Sequence, residues 1–336
     1  LAGDIGGTKT ILALYEEHSN PASPLCEQTY LSGRYDSLLA VIREFLHSRQ
    51  AGRLRVKHAV FGVAGPVVAG KATLPNLPWV IEEKELKREF GFQRVAMIND
   101  LEAIGHAVPV LSQIDLVGIK QGRAEARGNI AVLAPGTGLG ETFLSWKASR
   151  YNVHPSEGGH GDFAPVNDFQ LGLLGHLLKR YDHVSYERVC SGMGVPNIYA
   201  YIRDQALAEE PAWLAQQLAG TGDATSVIMS AAVEKGSECR ICSLTVETFV
   251  SILAAEAGNM VLRHMATGGL YLGGGIPPRI LPLLRQPDFE RWFVRKGRLS
   301  HLTEKAPVHV IMHPKAALVG SASLGLQLSN EQAEEQ

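Results

Sequence analysis

The sequence predicts an α/β fold in two domains, and three observations carry that prediction. Strand-like segments are followed directly by helix-like ones, as where Val95-Ala96-Met97-Ile98 runs through Asn99-Asp100 into a helix from about Leu101. Two distant segments read alike as strand, glycine turn, strand. Three glycine turns close apolar strands at widely separated positions: Gly6-Gly7-Thr8, Gly136-Thr137-Gly138 and Gly273-Gly274-Gly275.

The first hairpin is Leu1 to Thr10, continuing into the apolar Ile11-Leu12-Ala13-Leu14-Tyr15. Its turn carries a carboxylate, Asp4, before the glycines and a hydroxyl, Thr8, after them. Glycines let backbone N–H groups approach an anion closely, and Asp4 can hold a magnesium ion directly or through water. An ordinary glycine hairpin with an Asp in the turn fits the same ten residues. Ser37 to Arg49 then reads as an amphipathic helix, with Leu38, Leu39, Ile42, Phe45 and Leu46 on one face and Gly52 as a stop. Val56 to Val63 is a buried strand ending in Ala64-Gly65-Pro66. The second hairpin is Ile130–Ala134, the glycine turn, and Thr142–Trp146. From Phe169 the pattern is helical, with Leu171, Leu174, Leu177 and Leu178 on one face. Ser243 to Met265 reads as one long buried helix. A short strand, the triple-glycine turn and a helix started by Pro277-Pro278 follow. Pro307–Met312 is a last strand and Ala316–Leu328 a last helix, and the polar Asn330–Gln336 reads as a disordered tail.

A chain of 336 residues has room for roughly two domains. Its 45% hydrophobic and 20% charged content is that of a soluble globular protein. A net charge of −2 gives no reason to expect nucleic acid or an anionic membrane as partner. No apolar run is long and unbroken enough to suggest a bilayer span, and no signal peptide is visible. The chain begins inside an apparent strand, which implies residues upstream. Cys26, Cys190, Cys239 and Cys242 do not form a secreted disulfide framework. Cys239-Arg-Ile-Cys242 is a lone CxxC without the two further ligands of a structural zinc site. Two reduced cysteines at a helix start account for it.

No GxxxxGK[ST] segment occurs, and no GxGxxG follows a first strand. The three glycine turns together point to a nucleotide held between two halves. Beside them stand Ile98-Asn99-Asp100, Gly136-Thr137-Gly138-Leu139-Gly140, Ser156-Glu157-Gly158-Gly159-His160-Gly161-Asp162-Phe163-Ala164-Pro165 and His183-Val184-Ser185-Tyr186-Glu187-Arg188-Val189. In this order, and over nearly the whole chain, the set resembles bacterial-type glucokinase, within the sugar kinase and actin-like ATPase superfamily. The run from Glu157 to Pro165 is the most specific part. The Cys-x-Cys-Gly zinc motif of the related ROK sugar kinases and repressors is absent, which places the resemblance in the zinc-free group. Lys9 stands where Asn is common in that group.

The resemblance implies an actin-like ATPase (ribonuclease H-like) two-domain fold with a central cleft. The small domain would be residues 1–110 with 303–336, and the large domain 111–302. It implies that Asp100 is the general base toward the 6-hydroxyl of the sugar. An ordinary aspartate, with a pKa near ~3.9, suffices if the hydroxyl loses its proton late. The same Asp100 also suits a helix N-cap after a strand. Asn99, Glu157, His160 and Glu187 would hydrogen-bond the other hydroxyls, each of which donates and accepts. A solvated glycine-rich loop accounts equally for Glu157 and His160, and a first-turn helix carboxylate for Glu187. Asn76, between two prolines, is a loop contact to the sugar or a turn residue. Thr8, Gly6, Gly7, Gly136, Thr137 and Gly138 would hold the ATP phosphates, Asp4 would steer Mg2+, and Gly273, Gly274 and Gly275 would face the adenosine. The implied activity is ATP-dependent phosphorylation of D-glucose to glucose 6-phosphate, the first step of glycolysis, in a cytoplasmic homodimer. A kinase for another hexose, such as mannose or an N-acetylated amino sugar, would use the same motifs. A catalytically idle sugar-responsive regulator is a further alternative, weakened by the start of the chain at the first hairpin and by its slightly acidic charge.

Overall fold

The computed structural model describes residues 1–48, 54–74 and 77–334. Asn76, and Arg49 and Gly52 at the expected end of the first helix, lie outside the described residues. In chain order the elements are β1 (Ala2–Ile5), β2 (Lys9–Leu14), β3 (Cys26–Leu31), α1 (Leu38–His47), β4 (His58–Val63), β5 (Val67–Val68), β6 (Lys71–Thr73), β7 (Val80–Glu82), α2 (Glu83–Phe90), β8 (Arg94–Asn99) and α3 (Asp100–Ala107). Then come β9 (Leu116–Lys120), β10 (Ile130–Pro135), β11 (Leu139–Lys147), β12 (Arg150–Ser156), α4 (Asp168–Leu177), α5 (Gly194–Asp204), α6 (Ala212–Ala219), α7 (Ala224–Lys235) and α8 (Arg240–His264). The chain closes with β13 (Gly269–Leu272), α9 (Leu281–Leu284), α10 (Pro287–Val294), α11 (Ser300–Lys305), β14 (Val308–Ile311) and α12 (Ala316–Glu334).

Two compact units result, one of Leu1–Asp115, Tyr151–Pro155 and His313–Gln336, the other of Leu116–Arg150 and Ser156–Met312. In the first unit a five-stranded sheet runs β3-β2-β1-β4-β8. Its first three strands are antiparallel, and β1, β4 and β8 are parallel. Alternation along each strand sends side chains to opposite faces. Leu12 and Phe61 join the core with Phe45 of α1 and Trp79, while Ile11 and Ala13 pack against Leu318 and Ala322 of α12. Ser37 starts α1 by accepting the Ala40 N–H at 3.3 Å.

In the second unit the strands run β11-β10-β13-β14-β9, with β10 and β11 antiparallel and β10, β13 and β14 parallel. The pattern of the first unit thus recurs: a glycine hairpin followed by two parallel strands. The last strand had been expected to return to the small domain with the last helix. It lies instead in the second unit, because Leu270–Leu272 of β13 offers it a parallel partner in register with Val308–Val310. The α8 helix runs through the middle of this unit, buried on nearly every side.

Four local expectations are corrected. The buried face of α4 is Gln170, Leu173 and Leu177, while Leu171 and Leu178 are exposed. Gln170 is admitted to the core because its amide donates to Ser251 Oγ at 3.0 Å. After the triple-glycine turn, residues 277–280 form turns and the short α9 starts only at Leu281. A residue that precedes proline is disfavoured in the helical region, so Pro277 before Pro278 does not open a helix. The tail continues α12 to Glu334 rather than fraying at Asn330, its Glu and Gln residues being good helix formers. Finally, the helical run Ala224–His264 contains a stretch long and apolar enough to cross a membrane. Its apolarity serves the core, since 89% of its most apolar 18-residue segment is buried.

Helices α12 and α3 meet through Gly320, where an added Cβ would lie 1.6 Å from the Ala103 carbonyl oxygen. Backbone cannot yield as a flexible side chain can. Gly320→Ala should lower unfolding free energy by roughly 1–3 kcal/mol, read as a reduced urea midpoint.

Candidate active site

The first glycine hairpin closes with the Gly6 N–H donating to the Lys9 carbonyl at 3.0 Å. Gly7 and Thr8 form its tip. Ser32, which no motif marks, braces it from β3's end. Its hydroxyl donates to the Gly6 carbonyl at 2.8 Å and lies 3.0 Å from Thr10 Oγ1. Asp4 on β1 pairs in register with Gly62 of β4. Burial and the negative charge of Asp100 push the Asp4 carboxyl up to about 6, against a smaller lowering by Lys9. Two carboxylates of this unit, one on β1 and one at the start of α3, therefore sense each other.

Asn99 and Asp100 stand at the end of β8 and the start of α3. Both side chains turn toward that helix start. Asn99 Oδ1 and Asp100 Oδ1 each accept the Leu101 N–H at 2.9 Å, and Asn99 donates to the Gly65 carbonyl at 3.0 Å. The cap and the functional roles coexist, and the cap fixes where both side chains point. Asn99 keeps one N–H and one lone pair beyond those bonds.

The second unit gathers the remaining residues. The Gly136 N–H donates to the Gly138 carbonyl at 2.9 Å, and the Gly136 carbonyl accepts the Gly192 N–H at 2.7 Å. The third glycine turn lies against the same strand end. Gly273 donates to the Leu133 carbonyl at 2.9 Å, and Gly274, at φ +80°, sits where a Cβ would be 2.5 Å from the Pro135 carbonyl oxygen. Only glycine fits there. Gly275 follows in the turn, with open space where a Cβ would stand.

The loop bearing Glu157 and His160 packs on this hairpin. At Gly159 a Cβ would lie 2.0 Å from the Leu139 carbonyl oxygen. Main-chain bonds from Tyr186 to Gly161 and from Phe163 to Val184, at 3.0 and 2.9 Å, tie the loop to the segment bearing Glu187. His160 lies 3.9 Å from Glu157 Oε2 and 4.0 Å from Glu187 Oε1. Glu157 and His160 are exposed, whereas the Glu187 side chain keeps only 16% of its accessibility. Glu187 Oε2 accepts the Leu139 N–H at 3.0 Å, so it links the loop residues to the second glycine turn. Asp162 bonds His183 at 2.9 Å. Among the described residues no group of three or more His, Cys, Asp or Glu side chains is arranged to hold a metal.

The structure thus brings together Asp4, Asn99 and Asp100 near the first hairpin's strands, and Thr137, Glu157, His160, Glu187 and the last two glycine turns in the second unit. Sequence patterns did not reveal Ser32, or the buried Glu141 beneath Gly158. Ser32 is marked only by proximity in the sheet, and Glu141 reads as one more polar residue in a strand.

A family model described as Glucokinase matches residues 1–328. The glucokinase of Trichormus variabilis is 40% identical over 98% of this chain and 99% of its own length. That of Synechocystis is 37% identical over 97% and 98%. The crystal structure of a glucokinase from an Antarctic psychrotroph superposes with a TM-score of 0.83 at 32% identity, covering 97% of this chain and 98% of that one. A ROK family glucokinase from Streptomyces griseus, solved with glucose and AMPPNP, shares the fold at a TM-score of 0.64 and 20% identity, covering 97% and 98%. The fold is that of the actin-like ATPases. With a family model matched along almost its entire length, the chain belongs to the glucokinase family.

Proposed function

We propose that this chain transfers the γ-phosphoryl group of ATP to the 6-hydroxyl of D-glucose. The observation that carries the reading is the packing of Glu157, His160 and Glu187 onto a glycine hairpin in a chain of this family. Hydroxyl-binding groups and a phosphate turn share one main-chain scaffold there. Kinase chemistry of this kind is largely orientation and electrostatics.

Asp100 is the group we assign as base: its Oδ1 is oriented by the Leu101 N–H, and it accepts the 6-hydroxyl proton as the bond to phosphorus forms. Asn99, Glu157, His160 and Glu187 hold the other hydroxyls, and Asn76 is a further candidate. The hydroxyls of Thr8 and Thr137, with the N–H groups of Gly7 and Gly138, bind phosphate oxygens, and Gly6 and Gly136 close the two turns that present them. The turn Gly273 to Gly275 faces the adenosine. Asp4 fits Mg2+, since it supplies hard oxygen donors and its ionisation is opposed by Asp100 in the absence of a cation. When bound, Mg2+ neutralises phosphate charge. The family resemblance supports a cytoplasmic homodimer.

The deciding experiment is a coupled ADP-release assay over a panel of hexoses. Glucose should give the highest kcat/KM. Higher values for mannose or an N-acetylated amino sugar would reassign the substrate, and no turnover with any sugar would favour the regulator. Asp100→Asn should lower kcat by about 10²–10⁴-fold while calorimetry still detects glucose binding. For Asp4, a folded pKa raised to about 6 means that ionisation costs stability. That cost develops as pH rises from the ordinary carboxylate range through about 6 and is constant above. Asp4→Asn should therefore melt like the parent near pH 4, melt higher above pH 6.5 without Mg2+, and lose turnover.

A further inference from the structure

Glu141 lies on β11 opposite Leu133, with a side chain only 2% exposed. Its Oε1 is buried and hydrogen-bonded to none of the described residues. Its Oε2 presses on Gly158, where an added Cβ would stand 2.1 Å away. Gly158 directly follows Glu157 and lies two residues before His160. Its N–H is donated to Ser156 Oγ at 2.9 Å, so the turn is seated between Ser156 and Glu141.

A second carboxylate, Glu256 of α8, is fully buried nearby. One guanidinium nitrogen serves both. Arg263 Nη1 pairs with Glu256 Oε1 and lies 4.0 Å from Glu141 Oε2. Lys296 adds no direct pairing, since its ammonium donates to the Ala255 carbonyl and Asn259 Oδ1, both at 2.7 Å. Asn259 in turn donates to Glu256 Oε2 at 2.9 Å and to the Tyr186 hydroxyl at 3.2 Å, beside Glu187. Two buried carboxylates thus share one guanidinium, and Glu256 holds the close contact. A buried carboxylate without its own counter-charge is stable only when neutral.

We propose that Glu141 is a positioning residue that works in its protonated form: neutral, it seats Gly158 and so places Glu157 and His160, and its ionisation unseats the loop and weakens sugar binding. The proposal rests on the glucokinase reading of the site. The titratable groups that act on Glu141 are Glu256 and Arg263 from α8 and the Cys190 thiol, while Tyr186 and Lys296 reach Glu256 through Asn259. Burial, then the charge of Glu256, push the Glu141 carboxyl up to about 7 despite Arg263, so the change falls within the working pH range.

The test is calorimetric glucose affinity and steady-state kinetics between pH 6 and 9 for the parent, Glu141→Gln and Glu256→Gln. Parent affinity should fall roughly five- to tenfold across the transition, with KM rising and kcat changing little. Glu141→Gln, which keeps the neutral shape, should hold its pH 6 affinity throughout. Glu256→Gln frees Arg263 for Glu141 and should move the transition to lower pH. Melting gives a readout independent of sugar: the gain of Glu141→Gln over the parent should grow from pH 5 to pH 8. A Glu141→Gln profile that follows the parent, or a melting difference that is flat with pH, overturns the proposal while leaving the activity intact. A parent that binds no glucose overturns the functional reading and the proposal with it.

Discussion

Main chain packed directly on main chain at the end of β10 is the constraint on which the second unit depends. Gly274 meets the Pro135 carbonyl, Gly159 meets the Leu139 carbonyl and Gly192 meets the Gly136 carbonyl. At Gly274 and Gly159 the contact is too close for any Cβ, and at Gly192 it is tight. The three contacts draw the turn Gly273 to Gly275, the loop that carries Glu157 and His160, and the start of α5 onto one hairpin. Backbone placed this way carries no rotamer freedom, so the N–H groups and side chains it holds are oriented before any substrate arrives. Glu187 extends the same construction by accepting the Leu139 N–H with one oxygen while its other faces His160.

The first unit reaches an equivalent result with different means. Its hairpin is braced by a side chain, Ser32, and the Asp100 carboxylate is oriented by a helix cap. On the far side of the sheet, α12 closes against α3 and β4 at Gly320 and Gly62, and Ser321 accepts the Gly62 N–H at 3.1 Å. A strand bonded on both edges thus gains a helix contact close enough to exchange a hydrogen bond.

Charge is handled differently in the two units. The first holds Asp4 and Asp100 near enough to raise the pKa of Asp4, an arrangement that a divalent cation relieves. The second sets two buried carboxylates, Glu141 and Glu256, against one half-exposed guanidinium, Arg263, behind the loop that carries Glu157 and His160, and on our proposal a proton on Glu141 balances the count. Placing ionisable groups beneath a binding loop costs stability. It also couples the loop's seating to the state of one carboxyl.

Much of this was legible in the residue order. Hairpins with glycine at the tip, the buried strands and the long helix from Arg240 follow from local rules of turn chemistry and periodicity. The site motifs were legible because glycine and paired polar residues at strand ends have few other uses in so apolar a setting. Periodicity failed at α4, where Leu171 and Leu178 are exposed and Gln170 is buried, because a partner at Ser251 decided which face turned inward. It found the strand at β14 but not its partner, because strand partnership depends on β13, 38 residues upstream, rather than on the strand itself. It was silent on Ser32 and Glu141 for the same reason. The sequence by itself determined the elements, the glycine turns and the family, since these rest on local sterics and on ordered motifs. Only the tertiary structure decided which turns meet, which carboxylates share a cation and which polar side chains are buried, since those depend on distance in space between residues far apart in the chain.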